Sequence, residues 1–197
     1  MAALVRENSR FLPPQMADKL TFPARFASMR AMKDNMPETL TISLSLADET
    51  ATRALGRRLA PLLALGDFVA LTGDLGAGKT ALARAIIQAR YGAGGEDEDV
   101  PSPTFTLIQT YETPDLLITH ADLYRLDEPE DLRELGLGEA LDEGTVLMEW
   151  PDRMGALPAN RLDIVLSLEG APAATARVAR LTAHGPSWVR RLNALKL

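Results

Sequence analysis

Residues 73–80 read Gly-Asp-Leu-Gly-Ala-Gly-Lys-Thr and match the phosphate-binding loop pattern G-x-x-x-x-G-K-[ST]. Glycines let the backbone curl until successive N–H groups point at one anion. A helix must begin where the loop ends, because the positive end of its dipole then faces the phosphates. We therefore expect Lys79 to reach the β- and γ-phosphates and the Thr80 hydroxyl to ligate magnesium.

The sequence on either side of the loop is the context that such a loop requires. Residues 67–72 form a short apolar run that is typical of a buried parallel strand. Beyond the loop, Leu82, Ala85, Ile86 and Ala89 recur at helical spacing. The order of strand, loop and helix predicts a nucleotide-binding α/β domain rather than a glycine-rich turn that fits the pattern by chance.

Composition and charge exclude several classes of protein. The 197 residues contain no cysteine, which excludes a disulfide framework and a thiolate metal site. No apolar run approaches the roughly 20 residues that cross a bilayer, and no secretory signal pattern opens the chain, so we expect a cytoplasmic protein with no membrane partner. Residues 92–150 are rich in Asp and Glu, which argues against broad nonspecific nucleic-acid binding. We interpret the basic excess of residues 151–197 as ordinary solvated surface charge.

Residues 1–38 differ from the rest of the chain. They contain scattered prolines and no sustained apolar period, so we predict a poorly ordered extension. Their arginines suggest a transit peptide, whereas their acidic residues and few serines argue against one. One of the methionines at positions 29, 32 and 36 could also be the true start. We expect residues 39–197 to form a single P-loop domain.

The predicted sheet is mixed. Alternating apolar and polar residues over 40–46 predict the first strand, and Asp48 is the expected N-cap of a helix that Pro61 interrupts. Residues 105–111 and 116–122 read as two strands joined by a short turn, so they must pair antiparallel. We therefore predict an α/β, P-loop NTPase-like sheet with a parallel core plus antiparallel strands, flanked by helices. The remaining predicted elements are a helix opening at Asp127 or Glu128, a strand over 145–150, a loop over 151–158, strands over 161–168 and 177–182, and a terminal helix over 186–197.

Two carboxylates lie at the ends of apolar strands. Asp122 ends one strand and Glu149 ends another, and ligands of open α/β sheets bind outside the carboxyl ends of the strands. Nucleotide hydrolysis needs a carboxylate near magnesium and an oriented water. Both residues are candidates for these roles, with a helix cap or a surface acid as the alternative for each. The pattern leaves open which of the two ligates the metal directly.

Two further features lie near these carboxylates. The segment Ser-Pro-Thr at 102–104 lies where a switch-like segment would be, and Thr104 could approach the γ-phosphate; a structural turn is an equal alternative. His120 precedes Asp122 by two residues on the same predicted strand and so shares its face. We interpret His120 as a packed or hydrogen-bonded histidine in preference to a catalytic one.

The loop and three later motifs together resemble the TsaE proteins, the bacterial ATPases of tRNA threonylcarbamoyladenosine biosynthesis. The later motifs are S-P-T-F-T-L at 102–107, H-x-D-L-Y-R-L at 120–126 and E-W-P at 149–151. All four motifs occur in the family's order, and the resemblance extends over residues 40–182. It implies a P-loop α/β fold with an antiparallel part, and an ATPase that uses Mg²⁺.

The resemblance also implies catalytic roles for individual residues. Glu149 would complete the magnesium site beside Thr80, directly or through water. Asp122 would act next to it, on the metal or on the attacking water. The expected catalytic residues are therefore Lys79, Asp122 and Glu149, and the expected metal ligands are Thr80, Glu149 and Asp122.

Contacts with ATP follow from the same resemblance. Thr50 or Thr52 would lie on the adenine side, and Trp150 would border the nucleotide or a partner. The family often carries a G-R-x-x-R pattern near its late strand; only Arg177 remains here, and whether it contacts nucleotide is left open. The expected ATP contacts are Thr50, Thr52, Asp74, Leu75, Gly76, Ala77, Gly78, Lys79, Thr80, Thr104 and Trp150.

The family acts within an assembly. A TsaD-like and a TsaB-like subunit transfer threonylcarbamoyl to adenosine 37 of certain tRNAs, and the ATPase cycles that machine without making the transfer. The resemblance therefore implies these two partners and only an indirect contact with tRNA. The extension at residues 1–38 has no counterpart in a minimal family member.

Other nucleotide-dependent functions are the alternatives. A small-molecule or nucleoside kinase usually brings lid arginines over the phosphates, and residues 92–150 contain only Arg125 and Arg133. A GTPase is disfavoured, because no N-K-x-D guanine-reading motif occurs. A nonhydrolytic nucleotide-dependent scaffold stays open, because intact binding residues do not measure turnover.

Overall fold

The computed structural model describes residues 38–126, 131–169 and 176–195. Within these ranges, the chain forms one sheet of seven strands flanked by five α-helices. The strands are β1 (Thr39–Leu46), β2 (Phe68–Thr72), β3 (Ile108–Glu112), β4 (Leu117–Asp122), β5 (Gly144–Glu149), β6 (Arg161–Leu168) and β7 (Arg177–His184). The helices are α1 (Glu49–Leu59), α2 (Lys79–Arg90), α3 (Asp131–Glu134), α4 (Leu137–Glu143) and α5 (Pro186–Ala194). None of these described helices has the length and apolar character needed to cross a bilayer.

The order of the strands places β2, which leads into the phosphate loop, at the centre of the sheet. The order is β1-β7-β6-β2-β5-β4-β3. β2 runs parallel to β5 and β6, and β5 runs parallel to β4. The outer strands pair antiparallel, and β3 with β4 is the predicted hairpin. The predicted mixed fold is thus confirmed, and the carboxyl ends of β2, β4 and β5 meet at one edge.

Alternate residues of β2 face two separate cores, as the two-residue period of a strand requires. Val69 and Leu71 pack into the cluster that includes apolar residues of α1, α2 and α5. Phe68 and Ala70 pack into the opposite cluster, which includes apolar residues of α4. Burial of Phe68, Val69 and Leu71 stabilises the fold by roughly 1.5–3 kcal/mol for each side chain, so β2 is a firm support for the loop that follows it.

Helix α1 begins at the predicted cap and is interrupted before Pro61, as predicted. The Asp48 carboxylate caps it by accepting a 2.8 Å hydrogen bond from the Ala51 N–H. Pro61 lies in the 3₁₀ turn Ala60–Leu62 that follows α1, because proline has no N–H with which to continue the α-helix.

The structure differs from the sequence-based prediction at β3. The strand begins at Ile108 rather than at residue 105, because Leu107 adopts a left-handed φ of 63°. The Leu107 N–H donates a 2.7 Å hydrogen bond to the Pro103 carbonyl, which closes residues 103–107 into a turn. Phe105 in this turn is 81% exposed, so its apolar character misled the strand prediction.

Smaller differences occur at other element ends. β5 ends at Glu149 rather than at residue 150, because Trp150 has a φ of 58°. A 3₁₀ turn, Pro151–Met154, then occupies part of the predicted loop. The last helix ends at Ala194. The helix start predicted at Asp127 or Glu128, and nearly all of the extension predicted at 1–38, lie outside the described residues.

Candidate active site

The phosphate loop connects β2 to α2 and depends on glycine at two of its positions. A Cβ on Gly73, which has a φ of 148°, would collide with the carbonyl oxygen of Leu166 in β6. A Cβ on Gly78, which has a φ of 104°, would lie 2.5 Å from Nη1 of Arg177. Glycine therefore allows the loop to lie against both β6 and the arginine. Helix α2 begins at Lys79, directly after the loop, as the motif predicts.

Arg177 links the loop to the start of α1. It is the first residue of β7 and is buried. Besides lying against Gly78, its Nη1 donates a 3.3 Å hydrogen bond to Oγ1 of Thr52. Thr52 is also buried, and its hydroxyl donates to the Asp48 carbonyl at 3.2 Å. Of the two threonines expected on the adenine side, Thr52 is thus connected to the loop, whereas Thr50 lies exposed in the first turn of α1.

Lys79 is held inside the loop. Its Nζ donates to the carbonyls of Gly73 at 2.7 Å and Asp74 at 2.9 Å. It also lies 4.1 Å from the centroid of the Trp150 ring, within cation–π range. Burial lowers the pKa of Lys79 below its usual value, and nearby carboxylates, chiefly that of Glu149, partly oppose this shift. The ammonium therefore lies where phosphate oxygens could replace the two carbonyls as its partners.

Glu149 joins three elements at the carboxyl end of β5. Its Oε2 accepts a 3.0 Å hydrogen bond from the Thr80 hydroxyl at the start of α2. Its Oε1 lies 2.9 Å from Nε2 of His120 in β4. Glu149 is 2% exposed and His120 is fully buried. Glu149 and Thr80, both expected near magnesium, therefore lie in direct contact, and His120 is hydrogen-bonded, as we interpreted it from the sequence.

Asp122 lies beside Glu149, because the two residues are register partners in the parallel strands β4 and β5. Its Oδ2 accepts a 2.7 Å hydrogen bond from the Thr104 hydroxyl. Its Oδ1 accepts from the Tyr124 N–H at 2.9 Å. Thr104 is in turn 2.8 Å from the Ser102 hydroxyl. The switch-like segment at 102–104 thus contacts one of the two candidate carboxylates.

Two residues near the site were not identified from the sequence. The Tyr124 ring packs against Trp150 with centroids 5.0 Å apart; its place two residues after Asp122 in the H-x-D-L-Y-R-L motif was the available signal. Asp152 adds to the negative potential at Lys79, and its sequence position in the 3₁₀ turn gave no such signal.

The other loop residues expected to contact ATP differ in exposure. Asp74, Leu75 and Gly76 are exposed, and Ala77 is buried.

The oxygen donors of this site fit magnesium. Mg²⁺ is usually held by one or two carboxylates or hydroxyls, with substrate phosphates and water completing its shell. Thr80, Glu149 and Asp122 offer such a partial shell at the end of the loop. Within residues 38–126, 131–169 and 176–195, no three His, Cys, Asp or Glu side chains form a cluster that could hold a metal by themselves. The site therefore suits a metal that arrives with a phosphate.

Comparison with known proteins places this geometry in a family. The family model described as "Threonylcarbamoyl adenosine biosynthesis protein TsaE" matches residues 46–177. The chain belongs to the TsaE family. The match includes the phosphate loop, Asp122, Glu149 and Arg177.

Curated relatives and one solved structure are similar over much of the chain. The TsaE protein of Rickettsia felis is 47% identical over 109 residues, which are 55% of this chain and 62% of that protein. The TsaE protein of a Nostoc species is 36% identical over 140 residues, 68% of this chain and 83% of that protein. The chain thus spans about six-tenths of the length of the Rickettsia felis relative. The crystal structure of Bacillus subtilus YdiB has a TM-score of 0.63 at 28% identity and covers 80% of this chain and 95% of its own.

Proposed function

We propose that this TsaE-family chain binds and hydrolyses Mg-ATP in support of the threonylcarbamoylation of tRNA adenosine 37, in complex with TsaB-like and TsaD-like partners in the cytoplasm. The observation that supports ATP hydrolysis is the contact between the Thr80 hydroxyl and Glu149 beside Asp122, all at the end of a phosphate loop. The role in tRNA modification is proposed from the family, whose relatives above are named tRNA threonylcarbamoyladenosine biosynthesis proteins.

The residues of the site would have different roles in hydrolysis. The loop N–H groups and the Lys79 ammonium bind the phosphates and stabilise the negative charge that develops on them. Thr80 and Glu149 would hold magnesium, which would neutralise negative charge on the phosphates. Asp122, fixed by Thr104, orients the attacking water or a water of the metal shell.

Two exposed apolar side chains support a partner-dependent role. Leu75 in the phosphate loop and Phe105 in the turn at 103–107 are 75% and 81% exposed. Contiguous exposed apolar surface is typical of interaction sites, and we propose that these two side chains belong to a surface that partners cover. We therefore expect partner binding to change the surroundings of the loop and to raise the rate of hydrolysis.

The test is phosphate release from ATP by the purified chain, alone and with the TsaB-like and TsaD-like proteins. We expect weak, Mg²⁺-dependent release by the chain alone and stimulation by the partners. Lys79→Ala should abolish nucleotide binding or turnover, because the phosphates lose their buried cation. Arg53→Ala is the control, since Arg53 pairs with Glu49 on the exposed side of α1.

Two outcomes would favour the alternatives. Transfer of the γ-phosphate to a metabolite, without any effect of the partners, would indicate a kinase. Tight ATP binding with no phosphate release in either setting would indicate a nonhydrolytic scaffold.

A further inference from the structure

Both histidines of the chain place Nε2 against a carboxylate, but in different surroundings. His120 Nε2 lies 2.9 Å from Glu149 Oε1 in the buried site, whereas His184 Nε2 lies 2.8 Å from Asp163 Oδ2 on the partly exposed sheet. Among the described residues, Nδ1 of His120 has no hydrogen-bond partner and is buried. The buried imidazole thus directs its only hydrogen bond at Glu149.

The tautomer of His120 follows from this arrangement. An ionised carboxylate only accepts hydrogen bonds, so the imidazole must donate through Nε2. A hydrogen on Nδ1 would be buried without an acceptor, and an unmet donor costs about 1–3 kcal/mol. The geometry therefore favours the tautomer that carries its hydrogen on Nε2 and aims it at Oε1.

The two oxygens of Glu149 are held separately. Oε1 accepts from His120 and Oε2 accepts from Thr80. A carboxylate is planar, so fixing Oε1 also fixes the direction of Oε2. The β4–β5 register keeps this arrangement rigid, because it places His120 opposite Leu147 and Asp122 opposite Glu149.

We propose that His120 is a positioning residue that holds Glu149 with Oε2 directed at the Thr80 hydroxyl and at the metal position. The inference rests on the proposed Mg-ATP hydrolysis. In this proposal, His120 acts on the site through its hydrogen bond to Glu149 and has no direct role toward nucleotide or metal. Loss of partners that orient a metal-binding side chain typically lowers metal affinity or activity by roughly 10–100-fold.

The experiment compares ADP binding with and without Mg²⁺ by calorimetry, together with the Mg²⁺ concentration that half-saturates ATP hydrolysis. His120→Leu should raise the Mg²⁺ requirement roughly 10–100-fold and remove most of the Mg²⁺-dependent gain in ADP affinity. ADP affinity without Mg²⁺ should be unchanged. The matched control is His184→Leu, which removes the same contact outside the site and should leave both quantities at wild-type values.

A second pair of variants covers the case in which His120→Leu does not fold. Gln places an amide N–H near the position of His Nε2, whereas Asn places one near Nδ1. His120→Gln should therefore keep the Mg²⁺ requirement near wild type, and His120→Asn should raise it.

The outcomes separate the two proposals. A wild-type chain that shows no Mg²⁺-dependent hydrolysis would overturn the proposed function itself. Wild-type hydrolysis with an unchanged Mg²⁺ requirement in His120→Leu or His120→Asn would overturn the positioning role alone. Equal losses of ADP affinity with and without Mg²⁺ would show that His120 only supports the fold, and would also overturn it.

Discussion

Asp122 and Glu149 are register partners on neighbouring parallel strands, yet their carboxylates are held by different parts of the molecule. Glu149 accepts from Thr80 at the start of α2, whereas Asp122 accepts from Thr104 in the switch-like segment. One carboxylate is therefore tied to the phosphate loop and the other to a segment that reaches the site from outside the parallel core. We propose that the two carboxylates therefore have different roles in hydrolysis.

We expect Glu149→Gln and Asp122→Asn to retain ATP binding. In at least one of them the rate of hydrolysis should fall about a hundredfold or more, which corresponds to roughly 2.7 kcal/mol of activation free energy. Both changes keep the shape of the side chain but remove the charge that a metal or an oriented water needs. Phosphate release and calorimetric ATP binding measure the two effects. Asp163→Asn is the control, because Asp163 pairs with Arg161 and His184 instead. Normal rates in both site variants would discard the assignment.

Thr104→Val should lower the turnover number by about tenfold to a hundredfold, because a hydrogen bond to a charged group contributes about 1.5–3 kcal/mol. Thr104→Ser keeps the hydroxyl and should stay near the wild-type rate. Ser102→Ala should have a smaller effect than Thr104→Val, since Ser102 bonds Thr104 rather than Asp122. Steady-state ATP hydrolysis is the measurement, and equal rates for Thr104→Val and Thr104→Ser would show that the hydroxyl is unimportant.

The three glycines of the loop should rank differently when each is changed to alanine. Gly76→Ala meets no atom within 4 Å and adds only the strain of its φ of 80°, about 1–2 kcal/mol. Gly78→Ala must in addition displace Arg177 from the position it holds against Thr52. Gly73→Ala collides with the backbone of Leu166, which cannot rotate away.

Urea unfolding of the three alanine variants tests this ranking. The loss of stability should be greatest for Gly73→Ala, intermediate for Gly78→Ala and least for Gly76→Ala. A Gly73→Ala variant as stable as Gly76→Ala would contradict the close approach of the loop to β6.

The stability of the protein should depend on the titration of Lys79. Burial lowers the pKa of Lys79 in the folded state below 10.5. At pH values between this lowered pKa and the pKa of the unfolded chain, the unfolded chain therefore binds more protons than the folded one. The free energy of unfolding therefore rises with pH across that interval, and the cost of burying the charged form is fully present below it. Wild type should gain stability relative to Lys79→Met as the pH is raised toward 10.5.

Urea unfolding of both proteins at a series of alkaline pH values measures this difference. If the stability of wild type relative to Lys79→Met stays constant or falls as the pH rises, the pKa of Lys79 is not lowered in the folded state.

Local patterns predicted much of the fold. The phosphate loop sets the end of β2 and the start of α2. Ligands of open α/β sheets bind at the carboxyl ends of the strands, so Asp122 and Glu149 are expected near the loop once their strands are recognised. The short turn between β3 and β4 left antiparallel pairing as the only arrangement, and the structure has it. Each of these predictions depends on residues that are close together in the sequence.

Contacts between distant residues could not be predicted in the same way. Arg177 reaches Gly78 only because β7 pairs with β6, which in turn borders β2. The contact of His120 with Glu149 depends on the β4–β5 register, which no local pattern specifies. Leu107 reads as a strand residue, but a main-chain hydrogen bond to Pro103 holds it in a left-handed conformation.

The position of Trp150 over the Lys79 ammonium has an optical consequence. The chain contains one other tryptophan, Trp188. It lies in α5, is buried in the hydrophobic core and should emit a constant background. When phosphates draw the ammonium away from the indole, the fluorescence of Trp150 should change. Titration of a Trp188→Phe variant with ATP would then follow occupancy of the loop directly, without a label, and the same titration of Trp150→Phe should give a flat signal.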